Sequence, residues 1–169
     1  SFAEDTEAAG GKPADSLTIQ VGYVGGPYYD KHIFSLSELQ SMANVKGDYT
    51  FIDSMPAVVI DHVQGVRLAD LMAAAGIDIG SVQKFDFWTT DKTGSYYTSF
   101  PKSALIDTPR YCYYGLPDNF NYDEYIAGTK VTDHTAFIPE RVDTVLAMTA
   151  PAGQGRRLIE RMELLRTNA

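Results

Sequence analysis

Cationic side chains are scarce in this sequence: 14 Lys and Arg stand against 22 Asp and Glu, a formal net charge of −8. A phosphate backbone is held by a basic patch, so this balance argues against a nucleic-acid partner. It argues equally against binding an anionic lipid surface. Cysteine is nearly absent. Cys112 stands alone, so no intrachain disulfide can form. One thiol fits the cytoplasm, and it also fits an extracytoplasmic protein that does without disulfides. No apolar run approaches the roughly 18–20 residues of a membrane span. The G-x-S-x-G, P-loop and G-x-G-x-x-G patterns are missing. His32, His62 and His134 stand apart, with no i, i+4 partner histidine and no C-x-x-C nearby, which argues against a structural metal site. Asp118, Asp123 and Glu124 do not have the spacing of an EF-hand loop.

What is present is an ordinary globular composition. The chain has 169 residues, 44% of them hydrophobic, which suits one domain with a core that needs no covalent staples. Residues 1–16 are small, acidic and polar, and read as a flexible tail or linker; residues 17–169 read as the single domain. Such a tail is what a cleaved or trimmed leader leaves behind, and equally a plain disordered terminus.

The most informative stretch is Val63–Trp88, which reads as strand end, turn, helix, stop and strand. Leu68, Leu71, Met72 and Ala75 recur at i, i+3, i+4, i+7 and make one apolar helical stripe. Gly76 follows, where a left-handed cap is least costly for glycine. Val82, Phe85 and Phe87 lie in a run rich in β-formers.

Around this unit the chain alternates strands with short helices. Leu17–Val24 places Leu17, Ile19, Val21 and Tyr23 on one strand face, and Gly25-Gly26-Pro27 breaks it. Tyr28 and Tyr29 are assigned to the loop that follows. Ser35 and Glu38 have capping-box spacing, so a helix is expected over about 36–44. Tyr49–Ser54 and Ala57–Val63 read as strands, with Pro56 between them. Phe85–Thr89 and Ser95–Phe100 flank turn residues and predict a hairpin. Pro101 is expected to start a short helix through Leu105. Arg110–Tyr114, Val142–Ala150 and Leu158–Arg166 read as strands. Gly115–Pro139 reads as a long irregular connection, and Pro151–Gly155 as a tight loop. Without regular βαβ alternation, the fold class expected is α+β with a mixed, mainly antiparallel sheet and short helices.

Several of these segments, in order, resemble the molybdopterin-binding domain of the sulfite oxidase family. Gly65-Val-Arg-Leu-Ala-Asp-Leu-Met-Ala-Ala-Ala-Gly-Ile77 is similar to its turn-and-helix pattern G-x-x-L-x-x-L-L-x-x-A-G-I. Phe85–Tyr97 is similar to the hairpin that follows, and Ser99–Leu105 to a short segment after it. Val145–Met148 and Gly155–Leu164 are similar to the last two strands. The resemblance covers most of residues 17–166 and implies a sulfite-oxidase-like fold. In that family a cysteine thiolate binds molybdenum shortly before the glycine turn, because a soft metal centre favours a soft ligand. The matching position here falls near Asp53, in Tyr49–Met55. The Arg and His residues that the resemblance implies for holding the pterin phosphate are not evident before Gly65, where the one basic candidate in that segment is His62. The resemblance therefore implies the family scaffold without the family's metal ligand, and cysteine-lacking relatives look like parts of secreted or surface proteins of bacteria.

Two functions follow as expectations. The first is an extracytoplasmic, non-catalytic binding or interaction module for a small molecule or a protein, with no cofactor. Its pocket would be lined by Asp53, Ser54, His62 and tyrosines, with Tyr96, Tyr97 and Tyr113 chosen because tyrosine joins a flat apolar face to a polar tip. The second is a molybdopterin-dependent oxidoreductase with a non-cysteine group, such as Asp53, at the metal. Each candidate has a plainer reading: a polar strand end at Asp53 and Ser54, core and ordinary surface for the tyrosines, a buried thiol at Cys112. Gly153–Arg157 offers backbone N–H groups and two arginines to an anion, or simply a loop before the last strand.

Overall fold

The computed structural model describes residues 16–52, 58–91, 94–113, 139–148 and 158–167. Among these residues ten strands and two short α-helices occur in the order β1 (Leu17–Tyr23), β2 (Tyr29–Phe34), α1 (Leu36–Met42), β3 (Val45–Ile52), β4 (Val58–Arg67), α2 (Leu68–Ala74), β5 (Val82–Asp91), β6 (Gly94–Pro101), β7 (Arg110–Tyr113), β8 (Pro139–Val142), β9 (Val145–Ala147) and β10 (Leu158–Arg166). The strands form a five-stranded sheet of order β2-β1-β10-β5-β6, a three-stranded sheet β3-β4-β9, and a two-stranded sheet β7-β8. β1 and β10 pair in parallel; the other pairings are antiparallel. The chain is thus mostly β with few short helices and mixed sheets, compatible with α+β.

The core forms where the apolar stripe of α2 meets one face of the large sheet. Leu68, Leu71, Met72 and Ala75 are all buried, as their spacing requires, beside Ile19, Phe34, Phe85, Met162 and Leu164. Gly76 has φ +72, the left-handed conformation that ends the helix. Helix α1 carries the expected capping box, with Ser35 Oγ accepting from the Glu38 N–H at 3.2 Å and Glu38 Oε1 accepting from the Ser35 N–H at 3.3 Å. The β5–β6 hairpin pairs Phe85 with Phe100, as the alternation predicts.

The opposite face of the large sheet is polar. Asp86 stands across from Glu163 there, a like-charge pair that is unfavourable alone. Lys84 Nζ at 3.4 Å from Asp86 and Arg161 Nε at 3.4 Å from Glu163 offset it, and the Arg161 guanidinium lies 4.7 Å from the Trp88 ring centre.

Several expectations are corrected. Tyr29 opens strand β2 rather than extending a loop; an edge strand needs little apolar content, and Tyr29-Asp-Lys-His has little. Tyr23 is exposed, while Thr18 on the supposed outer face of β1 is buried, because β1 lies between two other strands near the sheet's centre. Helix α1 stops at Met42. Gly65 makes no turn: β4 runs through it to Arg67 and passes directly into α2. Glycine is required there by β9, since a Cβ would stand 2.2 Å from the Leu146 carbonyl oxygen. The short helix expected from Pro101 is present, but Pro101 itself ends β6 and the helix is a single π-helical turn (the π-turn) over Ser103–Asp107, bridged by Lys102 and Asp107 at 2.7 Å. The strand expected over Val142–Ala150 is two short strands in different sheets, β8 and β9, with Asp143 and Thr144 between them. The tail over 1–15, Pro56, the tip of the hairpin, the connection from 115 to 138, His134 and the loop at 151–155 lie outside the described residues.

Candidate functional site

An open cleft of about 130 Å³ forms where β4 passes into α2, between the π-turn and the link that separates β8 from β9. Three arginines reach it from three elements: Arg67 at the end of β4, Arg110 at the start of β7, and Arg141 in β8. Strand pairing assembles them. Arg67 lies opposite Val145 in the β4–β9 ladder, while Arg110 lies opposite Val142 and Arg141 opposite Tyr111 in the β7–β8 ladder.

The link Asp143-Thr144 ties the walls together. The Thr144 carbonyl accepts from the Leu68 N–H at 2.9 Å, satisfying one of the free donors at the start of α2, where the N-cap residue Arg67 makes no side-chain cap. The Thr144 hydroxyl donates to the Leu105 carbonyl in the π-turn. Arg67 Nε donates to Asp143 at 3.0 Å, and its guanidinium stands 3.8 Å from Asp70. Arg110 donates through Nε and Nη2 to the Ala104 carbonyl, at 3.3 and 3.0 Å. Among the described residues, Arg141 is exposed and has no hydrogen-bond or ion-pair partner.

The three cations are therefore in different states. Arg67 is neutralised by carboxylates. Arg110 is oriented by a neutral carbonyl and keeps its charge. Arg141 keeps its charge and its five N–H donors. Leu105, Ile106, Pro109 and Val142 supply apolar wall beside them. The result is a cationic recess with an apolar side, on a chain whose net charge is −8.

The residues singled out from sequence are distributed along the fold. Asp53 and Ser54 are outside the described residues. His62 is exposed on β4, opposite Asp48. Tyr96 and Tyr97 belong to β6, opposite Thr89 and Trp88. Tyr113 belongs to β7, opposite Pro139. These four residues are thus divided among three sheets, and His62 is not among the described residues that line the cleft. The missed residues, Arg67, Arg110 and Arg141, stand tens of positions apart in the chain, so no local motif marks them.

The segment matched by resemblance to the family's thiolate position offers oxygen and imidazole donors at Asp53, Ser54, Asp61 and His62 and a thioether at Met55, but no thiolate. The one thiol, Cys112, belongs to β7 in another sheet. Among the described residues no three His, Cys, Asp or Glu side chains cluster closely enough to hold a metal ion, and no helix is long and apolar enough to cross a membrane. Set against protein-family models, curated proteins and solved structures, the chain matches none of them.

Proposed function

We propose that this chain is an extracytoplasmic, non-catalytic binding module on a sulfite-oxidase-like scaffold. The observation that carries the reading is the composition of the cleft. Its cations are guanidiniums, which stay protonated at any physiological pH and so hold charge without shuttling protons. Among the described residues its one lining carboxylate, Asp143, is taken up by Arg67. Such a set suits recognition better than general acid–base chemistry. The order of helix, hairpin and closing strands supports the scaffold, and the lack of a thiolate around Asp53 supports the loss of the family's redox chemistry. The secreted setting rests on the resemblance to cysteine-lacking surface relatives, and cell fractionation that finds only a cytoplasmic pool contradicts it.

The test of the non-catalytic reading is molybdenum and pterin analysis of protein purified from a host that makes the cofactor. The expected result is no molybdenum above background and no pterin fluorescence after denaturation. One molybdenum per chain would make the protein an oxidoreductase with a non-cysteine ligand.

A further inference from the structure

We propose that the arginine cleft binds a small organic oxyanion, a carboxylate or phosphate carried on a compact apolar body, and that Arg141 is the side chain that closes on it. The inference rests on reading the chain as a binding module and names the ligand class of that module.

Charge selects the class. Among the described residues the lining holds three guanidiniums and one carboxylate, and that carboxylate is engaged with Arg67. An anion entering the cleft meets the unneutralised charges of Arg110 and Arg141. Planar guanidiniums match carboxylate and phosphate oxygens in paired hydrogen bonds. Arg110 is already oriented by the Ala104 carbonyl. That contact uses two of its N–H groups and leaves the others for a ligand, so little side-chain freedom is lost on binding. Arg141 has nothing to release first.

Size and wall chemistry narrow the ligand. A volume of about 130 Å³ is well below the roughly 300–1,000 Å³ of pockets that take drug-sized ligands, which favours an oxyanion head on a compact body. Leu105, Ile106, Pro109 and Val142 would be left facing water by a bare inorganic ion, whereas an apolar body covers them.

Position separates this site from the one the family scaffold implies. Residues 53–57 join β3 to β4 at the Val58 end. Arg67 is at the other end of that strand, nine residues on, which at about 3.3 Å per residue is about 30 Å along the chain.

The experiment is calorimetric titration of the full chain with phenyl phosphate, benzoate, inorganic phosphate and the uncharged benzamide, at constant ionic strength. Phenyl phosphate or benzoate is expected to saturate, more tightly than inorganic phosphate, and benzamide not to bind. Which of the two is tighter identifies the head group. Arg141→Gln is expected to weaken binding by about tenfold, the scale of one lost charged hydrogen bond, with Arg141→Lys in between. Arg141 is exposed, so a near-UV spectrum equal to wild type is expected from both variants. Failure of both organic anions to saturate, equal affinity for benzamide, or an Arg141→Gln variant that binds as wild type would overturn the proposal. The two readings fail separately. A molybdenum-loaded protein that also binds the anions removes the non-catalytic reading alone. A molybdenum-free protein that binds none of them removes the ligand class alone.

Discussion

Single residues do two different kinds of work in this fold, as its glycines show. Gly76 is needed for its backbone angle: φ is +72, while the nearest atom a Cβ would meet is Lys31 Cε at 3.9 Å. Gly65 is needed for space, since a Cβ there would stand 2.2 Å from the Leu146 carbonyl oxygen and 2.5 Å from Val145 Cγ1. Gly76→Ala is expected to cost about 1 kcal/mol, the penalty of a left-handed non-glycine residue. Gly65→Ala forces backbone apart and is expected to cost up to about 3 kcal/mol, as overpacking does. Urea denaturation of the two variants checks the order; equal losses would contradict it. The resemblance to a turn-and-helix pattern marked Gly65 as a turn. The close approach of β9 that explains it comes from a strand 80 positions later and leaves no local trace.

At the scale of elements, what was legible had a short-range cause. The α2 stripe, the α1 capping box, the β5–β6 hairpin and the final strand each depend on residues within a few positions, and each is found. Strand β2 and the division of β8 from β9 depend on distant partners and were not legible. The candidate site belongs to the second group. Its three arginines meet only because β9 pairs with β4 and β8 with β7. The one signal available beforehand was that each sits at the edge of a β-rich run in a chain poor in cations. The difference between core and cap is also an element-scale prediction. Leu71 is fully buried at the centre of the α2 stripe, so Leu71→Ala is expected to cost about 2–5 kcal/mol. Ser35→Ala removes one cap bond at an exposed helix start and is expected to cost about 1 kcal/mol. Thermal unfolding ranks them, and a Ser35→Ala loss equal to that of Leu71→Ala would mean that α1 rather than α2 anchors the core.

For the whole molecule, the charge distribution is the functional statement. The chain is acidic, and its long-range field repels anions, polyanions included. The local field at the cleft is opposite in sign, and it acts within about 8–10 Å at ordinary salt. A site of this kind discriminates by contact: only a ligand small enough to enter and shed water gains the guanidinium bonds. The sequence directed attention to Tyr49–His62, where the resemblance to the sulfite oxidase family would put a metal ligand. The arrangement of strands moves it to the other end of β4, where Arg67, Arg110 and Arg141 converge. The most direct test of that relocation is a backbone and guanidinium NMR titration of the intact protein with phenyl phosphate. Shifts concentrated at Arg67, Arg110, Arg141 and Thr144, with residues 49–62 unmoved, are the predicted result. Shifts concentrated at residues 49–62, with the three arginines unmoved, would contradict it.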